Sequence, residues 1–414
     1  MVDQEVTIQL PEVRENPQNA KRKIAIIGAG PAGLSCAYFL ARLGYQPKVY
    51  EAEPRPGGML VQAIPAYRLP REIVAREVRM VENMGIEVLA ERRMGRDFTL
   101  KSLRAEGCEA VFLGVGAPLG IGLGIPGENA QGITDALGFL RTYNLRGSVP
   151  VGKNVVVIGG GNSAIDGART AVRLGAELVT VVYRRSRESM PAYEEEIEEA
   201  IHEGVRLQLL TAPVEVVVEA GRVVGIRCQP MRLGEFDRSG RRRPQEGGET
   251  FVLPADQVLV AIGQALDPQA IGDGIHLDLR AGGFLAVDPV SGQTSQKWIF
   301  AGGDAVSGPS SVVEAVAAGE RAAVGIDRFL TGSEHAFWRE IREVGTFYDP
   351  DAEPLDAPRE MLPLIPVERR RNNFDEVEQP WRESVAVRQA HRCLRCDYGH
   401  RPNGDLVEIA TPDS

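Results

Sequence analysis

The sequence predicts an α/β protein made of two related half-domains, one inserted into the other, with extended arms at both ends. A glycine-containing segment occurs twice in the chain. Each copy lies between apolar runs that are typical of buried parallel strands. A third strand that ends in glycines follows the second copy. Together these observations favour two nested Rossmann-like domains.

The repeated segments are KIAIIGAGPAG (23–33) and NVVVIGGGNSA (154–164). Each is an apolar strand pattern, then glycines, then a helical pattern, and each is followed by another β-rich run, PKVYE (47–51) or LVTVVYRR (178–185). Two copies in register predict two nucleotide-binding βαβ units, whereas one such motif would be weak evidence. The matched positions, each pair 131 residues apart, are Gly28 and Gly159, Gly30 and Gly161, and Gly33 and Ala164.

The strand that completes each unit indicates how the two are arranged. AVFLGVGA (110–117) and QVLVAIGQ (257–264) both predict a buried strand that ends in a glycine turn. WIFAGGDA (298–305) is a further such strand, and it precedes a helical run. Two domains that followed one another in the chain would not need this third strand. A nested arrangement does, because the first domain must be completed after the inserted one. The predicted limits are an N-terminal arm (1–20), a first domain (21–149 and 281–332), an inserted second domain (150–280) and a C-terminal tail (333–414).

Composition excludes several classes of protein. Hydrophobic residues make up 43% of the 414 residues and charged residues 25%, which is the ordinary globular mixture. No stretch approaches the roughly 20 apolar residues of a spanning helix, and the N-terminus is polar and acidic, unlike a signal peptide. Five cysteines and a net charge of −10 fit a reducing compartment and disfavour nucleic acid or an anionic membrane as a partner. We therefore expect a cytoplasmic protein with neither partner.

The first glycine motif has the features that a dinucleotide requires. Its glycines let the chain turn tightly and let a pyrophosphate approach the backbone, and the helix that begins near Pro31 supplies free N–H groups. Glu51 follows Gly28 by 23 residues, the position at which a carboxylate accepts hydrogen bonds from an adenosine ribose. Asp304 follows a strand and precedes a helix that begins near Ser311, so we expect a carboxylate and free N–H groups to converge there.

The second motif lacks an acid at the matching ribose position and has basic residues instead, Arg184, Arg185 and Arg187 after Tyr183. Arginine at this position fits the 2′-phosphate of NADP. It can also stack on an adenine, which leaves NAD open. The pattern favours NADP over NAD.

These motifs resemble the small, flavin-bearing subunit of glutamate synthase and its relatives, which include the NADPH-binding subunits of bifurcating ferredoxin oxidoreductases. The resemblance covers residues 21–332 and rests on GAGPAGLSCAYFLARLGY, PGGMLVQAIPAYRLP, VIGGGNSAIDGARTAVRLGA, VVYRRSRESMPAYEEEI and FAGGDAVSGPSSVVEAVAAGERAA. It implies FAD on the outer domain and NAD(P)H on the inserted one. The residues that it places at FAD are Gly28, Gly30, Pro31, Ala32, Gly33, Glu51, Gly58, Met59, Gly303, Asp304 and Val313; those at the nicotinamide nucleotide are Gly161, Asn162, Ser163, Arg184 and Arg185.

The resemblance also implies an activity. FAD would exchange hydride with NAD(P)(H) and single electrons with iron–sulfur clusters of a partner protein, while the substrate reaction would belong to a further, catalytic subunit. The chain length and the lack of the family's usual N-terminal cluster domain look most like the FAD subunit of a tungsten-dependent aldehyde oxidoreductase, which delivers aldehyde-derived electrons to NAD+. The alternatives are a glutamate synthase small subunit or a ferredoxin-NADP oxidoreductase-type complex. A docking flavoprotein without nicotinamide activity is the alternative of another class.

The tail ends in RQAHRCLRCDYGH, which resembles the RCLxC element of the family's cluster-bearing segments. Cys393 and Cys396 are therefore candidate metal ligands: half of an iron–sulfur site completed by another chain, part of a zinc site with His391 and His400, or a pair without metal. No cysteine lies in 52–62 or 151–200, where dithiol reductases of related architecture place a redox pair. We expect the tail aromatics to pack against the body of the protein or an iron–sulfur partner; they are Trp338, Phe347, Phe374, Trp381 and Tyr398. Removal of the chain from Arg369 onward should leave flavin reduction nearly intact while abolishing assembly and electron transfer to the partner.

Overall fold

A computed structural model describes residues 11–236, 242–267, 274–339 and 358–392 of the chain. Its strands are β1 Ile24–Ile27, β2 Lys48–Tyr50, β3 Glu87–Leu89, β4 Ala110–Leu113, β5 Leu119–Gly120, β6 Ile133–Asp135, β7 Asn154–Ile158, β8 Leu178–Val182, β9 Arg206–Gln208, β10 Thr211–Glu219, β11 Arg222–Phe236, β12 Arg242–Glu246, β13 Phe251–Pro254, β14 Gln257–Val260, β15 Gln264–Ala265 and β16 Ile299–Ala301. Its α-helices are α1 Pro31–Arg42, α2 Met59–Gln62, α3 Arg71–Glu82, α4 Leu100–Ala105, α5 Ala136–Arg146, α6 Asn162–Arg173, α7 Glu194–His202, α8 Asp304–Ser307, α9 Val312–Thr331, α10 Val367–Arg370 and α11 Glu383–Ala390. Short 3₁₀ helices occupy Asn19–Lys21, Arg187–Ser189 and Phe337–Arg339.

Two five-stranded parallel sheets form the framework. Their strand orders are β16-β4-β1-β2-β3 and β6-β14-β7-β8-β9, so each sheet places the strand before its glycine motif at the centre. The helices that follow these central strands, α1 and α6, contain 12 residues each and begin and end 131 residues apart. The predicted fold class, with its internal duplication, is confirmed.

The strand partners show how the two halves interleave. β16 joins the first sheet beside β4 although the whole second sheet lies between them in the sequence. In return, β6 pairs with β14, so the segment from Ile133 to Arg146 belongs with the second sheet. The strands β5 and β15 form a short antiparallel pair. They lie in the two segments where the chain passes from the first half to the second and back. The predicted domain limits remain predictions, and the sheet partners favour a first crossing before β6 in place of one at residue 149.

Each parallel sheet is buried on both faces, as its continuous apolar strands require. Within β1, Ile24 and Ile26 face a core that includes α1 and α9, while Ala25 and Ile27 face a second core on the other side. The strands of the second sheet separate two further cores in the same way. An antiparallel sheet of β10 to β13 covers one of these cores.

Arg14 of the predicted N-terminal arm and Phe337 and Trp338 of the predicted tail pack against the first half. The backbone N–H of Arg14 donates to the carbonyl of Arg42, and the guanidinium groups of both residues lie over the ring of Phe337, at 4.0 and 4.8 Å from its centre. Phe337 is buried, and the indole of Trp338 donates to Glu320. The prediction that tail aromatics pack on the body is confirmed for Trp338, whose ring also contacts Phe39. Phe347 and Tyr398 lie outside the described residues.

The described residues fall into two compact units. The larger unit contains both parallel sheets and also the segment Pro366–Val377. The smaller unit includes 358–365 and 378–392, where the indole of Trp381 donates to the carbonyl of Met361 and Arg388 pairs with Glu360. None of the helices in the described parts of the chain is both long enough and apolar enough to cross a bilayer.

An ionic cluster is buried beside α6. Glu203, which is fully buried, accepts hydrogen bonds from the guanidinium groups of Arg169 and Arg173, with distances of 2.5 to 3.1 Å. Burial by itself raises the pKa of Glu203, but the hydrogen bonds from Arg173 and Arg169 outweigh burial and hold that pKa below its ordinary value. Glu203 is therefore ionised and links α6 to the end of α7.

Replacement of Glu203 by Gln should destabilise the protein by about 3–5 kcal/mol, because it leaves two buried guanidinium groups without their shared carboxylate. Equilibrium denaturation of the two proteins at pH 7 measures this difference. Since the folded pKa lies below the unfolded one, the stabilisation is present above the unfolded pKa and is lost as the pH falls through the folded pKa. Glu177→Gln, which breaks an exposed pair with Lys153, is the matched control and should leave stability close to that of the wild type. Equal stability of the Glu203 variant and the wild type would contradict the assignment.

Candidate functional site

A single cleft of about 1480 Å³ lies at the carboxyl ends of the central strands of both parallel sheets. Most of the predicted site residues line this cleft, although they come from segments far apart in the sequence. Those lining it are Gly28, Gly30, Pro31, Ala32, Glu51, Gly58, Met59, Gly303 and Asp304 from the first set and Gly161, Asn162, Ser163, Arg184 and Arg185 from the second. The structure thus brings the two predicted nucleotide sites into one space.

The turn between β1 and α1 forms the first of two cradles. Gly28 has a φ of +98°, and a side chain on it would collide with the backbone of Gly114. Gly33 is buried and does not line the cleft; a side chain there would collide with the carbonyl of Gly28. Gly30 is different, because a Cβ built on it meets only the Cα of Gly58, at 3.8 Å. Gly28 and Gly33 therefore shape the turn, and Gly30 leaves room in the cleft.

Helix N-termini around the cleft differ in how their first N–H groups are satisfied. The N-caps of α1 and α6 are Gly30 and Gly161, and neither helix has a side-chain cap. By contrast, α5 is capped by Asp135 and α9 by Ser311, although both helices also begin at the cleft. Uncapped N-termini that face a cleft are suited to a phosphate group. Both glycine cradles therefore fit a pyrophosphate.

Glu51 is fixed in the first cradle. One carboxylate oxygen accepts from the backbone N–H of Ala29 at 2.8 Å and the other from that of Glu53 at 2.9 Å. Burial raises the pKa of Glu51, and these two backbone hydrogen bonds oppose that effect. Both oxygens keep further acceptor capacity and border the cleft. This arrangement fits a pair of ribose hydroxyl groups.

The segment after β16 departs from prediction in two respects. Asp304 lines the cleft and accepts from the N–H and hydroxyl of Ser310. The N–H groups expected to be free near Ser311 are partly satisfied, because Ser311 and Glu314 form a capping box. The Ser-x-x-Glu spacing is the signal for this cap. Val313, predicted at FAD, is 76% exposed and does not line the cleft. Its neighbour Val312 does, because consecutive helix residues point about 100° apart.

The second cradle repeats the geometry of the first. Gly161 has an extended backbone, and a Cβ on it would meet only Pro191, at 3.8 Å. The side chain of Asn162 accepts from the backbone N–H of Tyr193, which fixes the segment that leads into α7 across the mouth of the cradle. Tyr183 packs under the turn, and its hydroxyl donates to the carbonyl of Ser189.

The two predicted arginines of the second cradle are not equivalent. The Nε of the buried Arg185 donates to the carbonyl of Arg242 at 3.2 Å. Arg184 is exposed at the cleft, and among the described residues it forms no hydrogen bond or ion pair. Arg187 does not line the cleft and pairs with Glu194 and Glu198. Arg184 is therefore the cation best placed to meet a phosphate.

The cleft residues that the sequence analysis did not predict include two sets of charged side chains. A basic loop after β3, Arg92–Arg96, borders the cleft near Glu51. The sequence contained a signal for this loop, since it follows the carboxyl end of a strand next to β2.

Arg68, which comes after α2, donates two hydrogen bonds to Asp166 of α6, at 2.9 and 3.0 Å. Burial raises the pKa of Asp166 to about 6, against the opposing charge of Arg68. No local pattern predicts this contact between the halves.

The cysteines of the larger unit take no part in the cleft. Cys36, Cys108 and Cys228 are free and buried, and none of them is among the described residues that line the cleft. Burial raises the pKa of all three thiols. They therefore lack the thiolate character of a redox pair. Cys393, Cys396 and His400 lie outside the described residues.

The fold and the cleft define a class of protein in which two glycine-bearing nucleotide cradles open into one space. Residues 22–319 match the family described as pyridine nucleotide-disulphide oxidoreductase, and the chain belongs to this family. Membership confirms the predicted class of oxidoreductase, with FAD and NAD(P) as its cofactors.

Curated relatives include proteins named as subunits of larger enzymes. The chain is 43% identical over 91% of its length to the beta subunit of NADP(+)-dependent formate dehydrogenase from Moorella thermoacetica. It is 37% identical over 93% of its length to the beta subunit of an NADPH-Fe(3+) oxidoreductase from Geobacter sulfurreducens. The small chain of glutamate synthase [NADPH] from Escherichia coli is 39% identical over 75% of the chain and is matched over 69% of its own length. The chain spans only 54% and 63% of the Moorella and Geobacter proteins.

Solved structures support the fold. FprA of Mycobacterium tuberculosis in complex with NADPH has a TM-score of 0.66 at 21% identity, covering 75% of this chain and 85% of that one. Thioredoxin reductase of T. acidophilum has a TM-score of 0.56 at 21% identity, covering 74% and 98%. At these identities the likeness concerns the fold alone.

Proposed function

We propose that this chain is the flavoprotein subunit of a multisubunit redox enzyme, in which the first cradle holds FAD, the second holds NADP(H), and electrons pass between the flavin and an iron–sulfur partner. The observation that carries the proposal is the shared cleft: two uncapped, glycine-bearing helix N-termini open into one space. A protein that bound its two nucleotides for separate purposes would not need them there.

The assignment of FAD to the first cradle rests on its carboxylates. Glu51 is held by two backbone N–H groups in the orientation that accepts ribose hydroxyls, and Asp304 borders the same part of the cleft. The uncapped end of α1 would carry the pyrophosphate. In the second cradle, strand pairing places Tyr183 at the position of Glu51, because Ile27 pairs with Tyr50 and Ile158 with Val182. The hydroxyl of Tyr183 already donates to the carbonyl of Ser189, and no carboxylate stands at this position.

The preference for NADP over NAD rests on Arg184. Its guanidinium is exposed at the cleft beside the second cradle. An acid at this position would bind the ribose 2′-hydroxyl of NAD, whereas an arginine suits the 2′-phosphate of NADP. The relatives named above carry NADP or NADPH in their names, which supports the same preference. NAD as the substrate of a tungsten-dependent aldehyde oxidoreductase remains the competing prediction.

Bound FAD would supply the exchange of a hydride with nicotinamide and of single electrons with an acceptor. The contribution of the chain is positional: the two cradles orient the nucleotides, and Arg68 and Asp166 connect the cradles across the cleft. No side-chain acid or base is needed in this proposal, because the bound cofactors would supply the hydride chemistry. The substrate reaction of the assembly belongs to another subunit in this proposal.

Gly30→Val should abolish FAD retention, because the new side chain fills the space that the pyrophosphate needs. The backbone of Gly30 (φ −77°, ψ −178°) accepts any residue, so the effect reports the cleft and not strain. Gly161→Val, at a matching backbone geometry (φ −92°, ψ 175°), should retain FAD and lose its reduction by NADPH. Flavin absorbance of the purified variants and anaerobic mixing with NADPH measure both results.

Each glycine variant serves as the control for the other. Loss of FAD from both, or from Gly161→Val alone, would contradict the assignment of the cradles. Unchanged reduction of Gly161→Val by NADPH would show that the nucleotide binds elsewhere. FAD that remains bound while neither the wild type nor the variants are reduced would favour a docking flavoprotein without nicotinamide activity.

Arg184→Ser should weaken NADPH binding relative to NADH by about 1.5–3 kcal/mol, the contribution of a hydrogen bond to a charged group. Arg185→Ser should discriminate less between the two nucleotides, because the Nε of Arg185 is already used by the carbonyl of Arg242. Dissociation constants for both nucleotides, measured by titration, give the ratio. Arg187→Ser is the matched control outside the cleft and should leave this ratio unchanged. An equal loss of NADPH and NADH affinity in Arg184→Ser would rule out a contact with the 2′-phosphate.

The iron–sulfur partner is the part of the proposal that depends on the tail. Cys393 and Cys396 follow the last described residue, so their metal stays a prediction. Metal analysis of the assembled complex with both cysteines changed to Ser distinguishes the three predictions: loss of iron supports a shared cluster, loss of zinc a local site, and an unchanged metal content a pair without metal.

A further inference from the structure

The segment Pro366–Val377, here called the strap, packs on both halves of the larger unit although it is part of the C-terminal tail. The backbone N–H of Val377 donates to the carbonyl of Tyr67 at 2.9 Å, and Val377 is buried. Tyr67 belongs to the segment between α2 and α3, which is part of the first half. The end of the strap is therefore attached to the flavin side of the cleft.

Phe374 of the strap lies between the two halves. Its ring is stacked on that of Tyr143 in α5, with the ring centres 4.4 Å apart, and lies 6.1 Å from the ring of Tyr67. α5 packs against α6 in the second half. One aromatic side chain of the tail thus contacts both halves at once.

Arg370 attaches the other end of the strap to the second half. Its buried guanidinium pairs with Glu199 of α7, and its Nε lies 3.8 Å from Glu203. Burial and the nearby charges of Arg169 and Arg173 lower the pKa of Arg370. Arg370 thus lies beside two buried cations as well as its partner Glu199, so the position of the strap is coupled to the buried cluster.

The contacts of the strap continue to the cleft. The guanidinium groups of Arg173 and Arg169 lie over the ring of Tyr67, 3.8 and 4.8 Å from its centre. The next residue, Arg68, pairs with Asp166 and Glu196 of the second half. Asp166 lies one turn after the uncapped end of α6. Displacement of the strap would therefore disturb the contact that sets the distance between the two cradles.

We propose that the strap holds the two halves in the orientation that allows hydride transfer, with Phe374 and Arg370 as positioning residues; this inference rests on the function proposed above. The strap touches neither cradle directly and acts through Tyr67 and the Arg68–Asp166 pair. The sequence analysis placed these residues in a tail that was expected to be dispensable for flavin reduction. The contacts of Arg370 and Phe374 indicate instead that this part of the tail is needed for it.

The test compares full-length, FAD-loaded wild type with Phe374→Ala and Arg370→Gln under anaerobic conditions. The limiting rate of flavin reduction at saturating NADPH should fall roughly ten- to one-hundred-fold, as for a small misplacement of reacting groups. Flavin content and the dissociation constant of NADP+ should stay within about two-fold of the wild type, because each cradle is intact in its own half. If these residues only stabilised the fold, their loss would lower flavin content and NADP+ affinity together with the rate. A loss of rate alone therefore indicates a positioning role.

Matched variants control for changes in the segment itself. Arg369→Gln changes an exposed neighbour of Arg370 and should leave the limiting rate unchanged. Phe374→Tyr keeps the aromatic ring and should restore most of the rate lost in Phe374→Ala. An unchanged rate in Phe374→Ala and Arg370→Gln would overturn the proposal, as would loss of FAD or of NADP+ binding from either variant. If NADPH does not reduce the wild type, the proposed function itself fails, which distinguishes the two failures.

Discussion

The function proposed for this protein depends on one constraint: two helix N-termini must face a common cleft with their first N–H groups left free. Parallel sheets meet this constraint because the strand before each helix ends at the same edge of its sheet. Glycine at position 30 and at position 161 keeps a side chain out of the space in front of each helix. The helices α5 and α9 also begin at the cleft but are capped by their own residues, so the open ends of α1 and α6 are not shared by every helix there.

The duplication builds two similar cradles, and a few side chains make them different. Glu51, held by two backbone N–H groups, suits a ribose, whereas Arg184 presents an unpaired cation at the second cradle within the described structure. Each difference lies at the carboxyl end of the second strand of its sheet. The contacts that connect the cradles do not follow the duplication: Arg68 pairs with Asp166 of α6 and Glu196 of α7, and the strap joins Tyr67 of the first half to Glu199 of α7.

Local sequence predicted the fold class, and most of the site residues that it named line the cleft, because glycine turns and apolar strands have short-range signatures. Its failures have physical causes. Val313 was placed at FAD although the helical rotation turns Val312 toward the cleft instead. The capping box of Ser311 and Glu314 was visible in the sequence and was overlooked. The pairing of Arg68 with Asp166, 98 residues apart, depends on how the two halves pack, and no periodic pattern encodes that.

The most direct test of the account is an anaerobic titration of the purified, FAD-loaded chain with NADPH, followed by the visible absorbance of the flavin. The account predicts that the yellow colour is bleached by about one NADPH per FAD, because a hydride carries the two electrons that FAD accepts. Bleaching by dithionite but not by NADPH or NADH would contradict it. That result would mean that the two cradles share a cleft without sharing a reaction.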